Sequence, residues 1–173
     1  SMASEAKKWI ENENYDVIFT DFDGCDAAGH ANGFDGYDDE YRAAAIKVDT
    51  LIGSLLDAVE NRPTINDEEW LFVLTSDHGG EGNSHGSKDP YNRRIPLIVA
   101  SNSPRVGMGR ASSHDPGSHL DVFPTIIHFL GGDLPLDYLD GQVFGFRDYE
   151  RTPPPQPPAC ISDPSSCGCE DQN

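Results

Sequence analysis

The chain has 173 residues, 36% of them hydrophobic, enough to bury one core in one domain with a tail. Its 30 acidic residues against 12 basic ones leave a net charge of -18, which repels a nucleic-acid polymer or an anionic membrane surface and favours a site whose own cations reverse the sign locally. No apolar run approaches the ~20 residues that span a bilayer, and the first residues lack the apolar segment of a signal peptide.

Residues 4 to 13, SEAKKWIENE, open on a capping serine and continue with helix formers, which predicts a short helix. The run YDVIFTDFD, 15 to 23, is rich in β-branched and aromatic residues and reads as a buried strand ending in acidic groups. GCDAAGHANGFDGYDD follows as a glycine-rich loop. From Asp38 to Glu60 the residues Tyr41, Ala45, Val48, Ile52, Leu55 and Val59 recur at alternating steps of four and three, the stripe of a packed helix. NRPTINDEE is a turn. WLFVLTS and IPLIVAS are apolar throughout, as strands covered on both faces are. SHLDVFPTIIHFLGG predicts a helix with Ser118 as cap, Asp121 in a capping-box position, and Phe123, Ile127 and Leu130 inward.

Strands alternating with helices predict an α/β layer fold with a largely parallel sheet over residues 1–146. From 147 to 173 the composition changes, and five prolines within six positions mark a linker or tail. Cys160, Cys167 and Cys169 crowd into that tail, while Cys25 lies upstream, and their pairing is undetermined by sequence. Such a tail suits an extracellular or lumenal chain slightly better than a three-cysteine metal cluster or free thiols.

In an open α/β sheet, ligands collect beyond the carboxyl ends of the strands. The first predicted strand leads to Asp21, Asp23, Asp26 and His30, and the second leads directly to Asp77 and His78. Neighbours in regular strand point to opposite faces, so Asp77 and His78 share an ion only if the strand stops there, which Gly79 and Gly80 permit. Asp26 and His30 lie four apart, and His85 is on a loop short enough to bend back. Mixed carboxylate and imidazole donors suit zinc, and manganese or iron would also accept them. Asp21 and Asp23 are read either as groups orienting His30 or His78 or as structural acids at a strand end. Lys88 and Arg93, cations near the same rim, are read as solvated side chains rather than as contacts for a substrate anion. His114, His119 and His128 have no partner at ligand spacing; His119 is read as surface at a helix start and His128 as an exposed helical face. Cys25 is given no role.

The segments DFDGCDAAGH, EYRAAAIKVDTLIGSLLDAV, EEWLFVLTSDHGGEGNSHG, RRIPLIVAS and LDVFPTIIHFLG, in that order, resemble the C-terminal half of the alkaline phosphatase superfamily, nearest its type I phosphodiesterase and nucleotide pyrophosphatase branch. The likeness covers roughly residues 15 to 145 and implies part of a three-layer sandwich. It also implies two divalent ions, with Asp26, His30 and His85 on one and Asp77 and His78 on the other, acting on a small phosphorylated substrate. In such a family the nucleophile, a threonine or serine at a helix start, lies in the other half, and no Ser or Thr here sits in a matching motif. The implied function is a metal-dependent phosphoric ester hydrolase of the phosphodiesterase or phosphatase type, weak or inactive alone, with a possible association through an incomplete sheet. A sulfatase-like sulfuric ester hydrolase is a related alternative, but it needs a Cys or Ser in a CxPxR or SxPxR setting that does not occur here. A phosphoethanolamine transferase is set aside for want of a membrane span. A noncatalytic metal-binding remnant or interaction module is the alternative of a different class.

Overall fold

The computed structural model describes residues 1–111, 116–132 and 139–152. His114, Cys160, Cys167, Cys169 and the part of the expected tail from 153 onward lie outside the described residues.

Helix α1 (Met2–Asn12) starts earlier than expected. Its cap is Ser1, whose hydroxyl accepts from the Ser4 amide, while Ser4 acts as the reciprocal partner of the capping box. Ala3, Ala6 and Ile10 fall three and four apart and are buried on one face. That face meets α3 (Asp39–Glu60), capped by the Asp38 carboxylate accepting from the Tyr41 amide at 2.8 Å. Ala6 and Ile10 of α1 join Leu55, Ala58 and Val59 of α3 in one buried cluster, flanked by Trp9, Ile18, Phe22, Ile65, Trp70 and Phe72. Each large aliphatic in it contributes about 1.5–3 kcal/mol. The expected stripe of α3 holds except at Ala45, which is exposed while Ala44 turns inward.

Arg62, 8% exposed, ties three segments together at the end of α3. Its guanidinium donates to both oxygens of Glu68, to the Asn14 side chain, and to the Ile10 and Glu13 carbonyls, and it lies 5.3 Å over the Trp70 ring. Glu68 also accepts from Thr64 and from the Trp70 indole. These donors, Arg62 first, hold the Glu68 carboxyl down at about 2.

Two expectations about local structure fail between residues 13 and 36. The run 15–23 does not form a strand: residues 13–22 are irregular, and Ile18 and Phe22 lay the segment against the α1–α3 cluster. A strand needs a ladder partner, and among the described residues none pairs with it. The first part of the glycine-rich stretch is not a loop but helix α2, Gly24–Asn32, while residues 33–38 are irregular as expected. The alanines of α2 offset the helix cost of Gly24 and Gly29.

Strands β1 (Leu71–Thr75) and β2 (Leu97–Ser101) form a two-stranded sheet, Leu71 opposite Ser101 and Thr75 opposite Leu97. The pairing is antiparallel, so among the described residues the largely parallel sheet is not present, although the mixed helix and strand class is. Between the strands the chain returns through a loop and the single turn α4 (Pro90–Arg93) rather than a long crossover helix, and such a return gives antiparallel neighbours. The two faces of the sheet divide the core: Phe72 packs on the α1–α3 cluster, while Leu71 and Val99 pack on a second cluster of Val106, Val143 and Phe146.

Ser118 and Asp121 form the expected capping box, here around the 3-10 turn His119–Asp121 that leads into α5 (Val122–Phe129). The buried face of α5 is rotated from the expected one: Pro124 and Thr125 are buried, whereas Phe123 and Leu130 are exposed. Hydrogen bonding sets the rotation. Thr125 donates to the Asp121 carbonyl and accepts from the Phe144 amide, which draws residues 142–146 onto that side. Asp121, 3% exposed, accepts from Ser118 N, Gln142 N and Arg151. Among the described residues no helix is long and apolar enough to cross a membrane.

Candidate metal centre

Past Thr75 the chain leaves the strand, and two glycines set its path. Gly79 donates to the Asn92 carbonyl at 2.9 Å, and a Cβ there would meet the Tyr91 carbonyl oxygen at 2.1 Å. Gly80 faces the Phe34 ring, which a Cβ would meet at 2.3 Å. Only glycine lets the chain turn here, and the turn aims His78 inward while Asp77 stays at the rim, its side chain 86% exposed. The strand break expected at this point is therefore formed.

On α2, Asp26 and His30 are one helical turn apart, so both side chains share a face. His85 comes back from the loop to meet them. The Asp26 Oδ1 atom lies 3.5 Å from Nε2 of His30, 3.6 Å from Nε2 of His85 and 3.7 Å from Nε2 of His78. Asp77 Oδ2 is 3.5 Å from Nε2 of His78. All five predicted residues thus stand at one place, and those of Asp26, His30 and His85 offer ligand atoms within 4.8 Å of one another.

The tautomers follow from the outer partners. Nδ1 of His30 faces the Asn83 carbonyl at 3.0 Å, and Nδ1 of His78 faces the Gly79 carbonyl at 2.8 Å. A carbonyl only accepts, so both Nδ1 atoms carry hydrogen, and in the neutral rings both Nε2 lone pairs face Asp26. Backbone carbonyls therefore do the orienting for which Asp21 and Asp23 were candidates. Asp26 Oδ1 is buried and has no hydrogen-bond partner among the described residues, and the Nε2 atoms of His30 and His85 are 3.1 Å apart. Lone pairs so converged repel unless a cation or shared proton lies between them. An orphaned carboxylate oxygen ringed by imidazole nitrogens fits a divalent ion.

Phe34 forms the wall behind the imidazoles and was not singled out by sequence. Its ring is edge-on to His30 at 5.5 Å, to His85 at 6.1 Å and to His78 at 6.4 Å. Its amide donates to the Gly82 carbonyl at 2.7 Å, which fastens the end of α2 to the histidine loop. The available signal was the pair Gly29 and Gly80, both of which exist in contact with this ring. Burial raises the Cys25 thiol, and burial first, then the Cys25 and Asp26 charges, raises the Tyr41 phenol.

Of the other histidines, His119 is exposed at a helix start as expected, and His128 differs from expectation. His119 reaches back so that Nε2 contacts the Ser76 carbonyl, one residue from Asp77. His128 is not an open helical face: its Nε2 is 3.3 Å from Asp148 and its ring packs edge-on against Phe146. Lys88 and Arg93 are exposed.

The type I phosphodiesterase / nucleotide pyrophosphatase family matches over residues 1–103. The chain is 31% identical over 140 residues to the 2,3-bisphosphoglycerate-independent phosphoglycerate mutase of Shewanella amazonensis, a match covering 78% of this chain and 24% of that protein. It is 34% identical over 134 residues to the enzyme of the same name from Shewanella frigidimarina, covering 74% and 23%. It is 30% identical over 159 residues to GPI ethanolamine phosphate transferase 1 of Emericella nidulans, covering 75% and 16%. The likeness to a protein named as a phosphoethanolamine transferase covers only that 16% of it and leaves the setting aside of that group untested. The chain spans a quarter or less of the curated relatives it matches. No solved structure matches it.

Proposed function

The chain belongs to the type I phosphodiesterase / nucleotide pyrophosphatase family, and we propose that it supplies the metal-holding part of a phosphoric ester hydrolase or phosphoryl-transfer enzyme of the alkaline phosphatase superfamily. The observation that carries this reading is the Asp26 carboxylate oxygen with the Nε2 atoms of His30, His78 and His85 all within 3.7 Å.

In this reading Asp26, His30 and His85 hold one divalent ion, and Asp77 and His78 hold the other. Zinc is the proposed metal, because a set with three imidazoles and short bonds of about 2 Å is what zinc takes. Two such ions, when bound, neutralise phosphoryl oxygens and stabilise the entering and leaving oxygens of an in-line displacement. The chain's own part is positional. The Asn83 and Gly79 carbonyls hold the rings in the ligating tautomer, and Phe34 shields their inner side from water. The exposed Asp77 carboxylate faces outward, where a small phosphorylated substrate would enter.

The hydroxyls next to the ligands in sequence are engaged: Ser76 donates to the His78 carbonyl at 2.8 Å, and Ser84 to the His85 carbonyl at 3.5 Å. A nucleophile is therefore expected from outside this segment, and so is the rest of a three-layer sandwich with a parallel sheet. These 173 residues by themselves are expected to turn over a phosphodiester weakly or not at all.

The test is a zinc titration of the purified chain by calorimetry, run beside an assay with a chromogenic phosphodiester. Tight zinc binding that Asp26→Asn abolishes, with little turnover, is the expected result. Absence of zinc and manganese binding sinks the reading, and chelator-sensitive turnover at enzyme-like rates sinks the claim that the nucleophile lies elsewhere.

A further inference from the structure

Asp77 is the ligand with the fewest side-chain supports. Among the described residues its carboxylate hydrogen-bonds or pairs only with His78, through the His78 amide at 3.0 Å and Nε2 at 3.5 Å, and its side chain is 86% exposed. Its direction is therefore set by the backbone that precedes it. That backbone is the peptide joining Ser76 to Asp77, one rigid plane with the Ser76 carbonyl at one end and the Asp77 amide at the other.

The β ladder cannot hold this plane. Thr75 stands opposite Leu97, so the next pair in register would be Ser76 with Pro96, and proline has no amide hydrogen to give. Among the described residues no backbone amide donates to the Ser76 carbonyl. The Thr75 hydroxyl has one hydrogen, and its closer acceptor is the Pro96 carbonyl at 3.0 Å rather than the Ser76 carbonyl at 3.4 Å. That leaves Nε2 of His119, 43 positions along the chain, as the donor to the Ser76 carbonyl.

The turn that carries His119 is anchored independently. Gly117, at φ 78°, packs so close to Leu97 and Phe144 that a Cβ would meet their side chains at 2.7 and 2.8 Å. The Ser118–Asp121 capping box closes the turn, and the buried Asp121 ties it to Gln142 N and Arg151. His119 thus approaches from a frame fixed to the first residue of β2. From Ser76 the constraint passes on twice: through the peptide plane to Asp77, and through the Ser76 hydroxyl, which donates to the His78 carbonyl at 2.8 Å.

We infer that His119 is a positioning residue for the ion assigned to Asp77 and His78, holding the Ser76–Asp77 peptide so that the two present their ligand atoms together. It acts only through the Ser76 carbonyl. Donation to that carbonyl puts its hydrogen on Nε2, the opposite tautomer from His30 and His78. This role rests on the assignment of Asp77 and His78 to an ion, while its geometry can be read without one.

The experiment uses the full chain with His119→Ala and with His119→Gln, whose side-chain amide can donate from a place close to that of Nε2. Long-range proton–nitrogen spectra of the metal-free wild type at about pH 8, where imidazole is ordinarily neutral, are expected to show hydrogen on Nε2 of His119. Zinc titration by calorimetry then follows two ions, one of them identified as the ion that Asp77→Asn removes. His119→Ala is expected to weaken that ion by about tenfold or more, as loss of an outer partner does, and the other ion less. His119→Gln is expected to restore the affinity, and the metal-free melting temperature is expected to hold in both variants, since His119 is exposed. Hydrogen on Nδ1 alone at His119, equal losses of both ions, no loss in His119→Ala, or no recovery in His119→Gln overturns the inference by itself. A wild-type chain that binds no zinc overturns the metal reading and this role with it, and a chain that binds a single ion indifferent to Asp77→Asn overturns the role alone.

Discussion

His78 and His85 stack face to face, their ring centroids 3.6 Å apart and their planes 13° apart. Each turns its Nε2 atom to the same oxygen of Asp26. Although the two rings are assigned to different ions, they share one wall and one carboxylate. We therefore expect the losses from His78→Ala and His85→Ala in a zinc titration to be non-additive, with a coupling of about 0.5–3 kcal/mol. Strictly additive losses would mean that the stack and the shared oxygen do not link the two ligand sets.

Asp26→Asn separates a ligand role from a structural one. The buried oxygen accepts no hydrogen bond among the described residues, so its charge contributes no bond to the metal-free fold. We expect the metal-free melting temperature to hold or rise and zinc affinity to fall by about 100-fold or more, beyond the ~10–100-fold range of outer-partner losses. Thermal melts with and without zinc check both halves. A large loss of metal-free stability would assign Asp26 to the core instead.

Phe34 should act on metal affinity through the imidazoles it supports. Phe34→Leu keeps an apolar filler and is expected to retain most zinc binding. Phe34→Ala opens space behind three rings, costs about 3–5 kcal/mol of stability at most, and is expected to weaken zinc binding in whatever fraction remains folded. Gly80→Ala, which drives a Cβ to 2.3 Å from the same ring, should reproduce the weaker binding. Calorimetry on the folded material, with circular dichroism to establish the fold, separates the two effects.

The Arg62–Glu68 node predicts an acid-labile contribution. The Glu68 carboxyl sits at about 2 in the fold, against 4.5 for the free group. A depressed carboxyl stabilises the folded state fully above its unfolded value, and this is lost as pH falls from 4.5 towards 2. Glu68→Gln should flatten the unfolding free energy across that window and lower stability near neutral pH by about 2–3 kcal/mol, the scale of charge-assisted bonds left unmade. Chemical denaturation at a series of pH values measures it. An unchanged slope between wild type and variant would remove Glu68 as the titrating group.

Composition and local pattern settled a good deal here. The helix over Asp39–Glu60, the two strands at 71–75 and 97–101, and the Ser118–Asp121 capping box are all written in periods and caps that a few neighbouring residues enforce. Four of the five candidate ligands fall in two short-range pairs, Asp26 with His30 one helical turn apart and Asp77 beside His78, whereas His85 reaches the same place only through the return of its loop.

What needed the third dimension was everything decided by partners distant in sequence. The run 15–22 has every strand propensity, but a ladder requires a neighbour, and without one the segment lies unpaired on the α1–α3 core. The antiparallel sense of the sheet, the turned face of α5 and the Arg62–Glu68 node depend on residues up to 52 positions apart. Phe34 is the clearest case. Gly29 and His30 lie close to it in sequence, but only the approach of Gly80, His78 and His85 from a separate segment makes it a wall, because packing energy belongs to surfaces in contact and not to order along the chain.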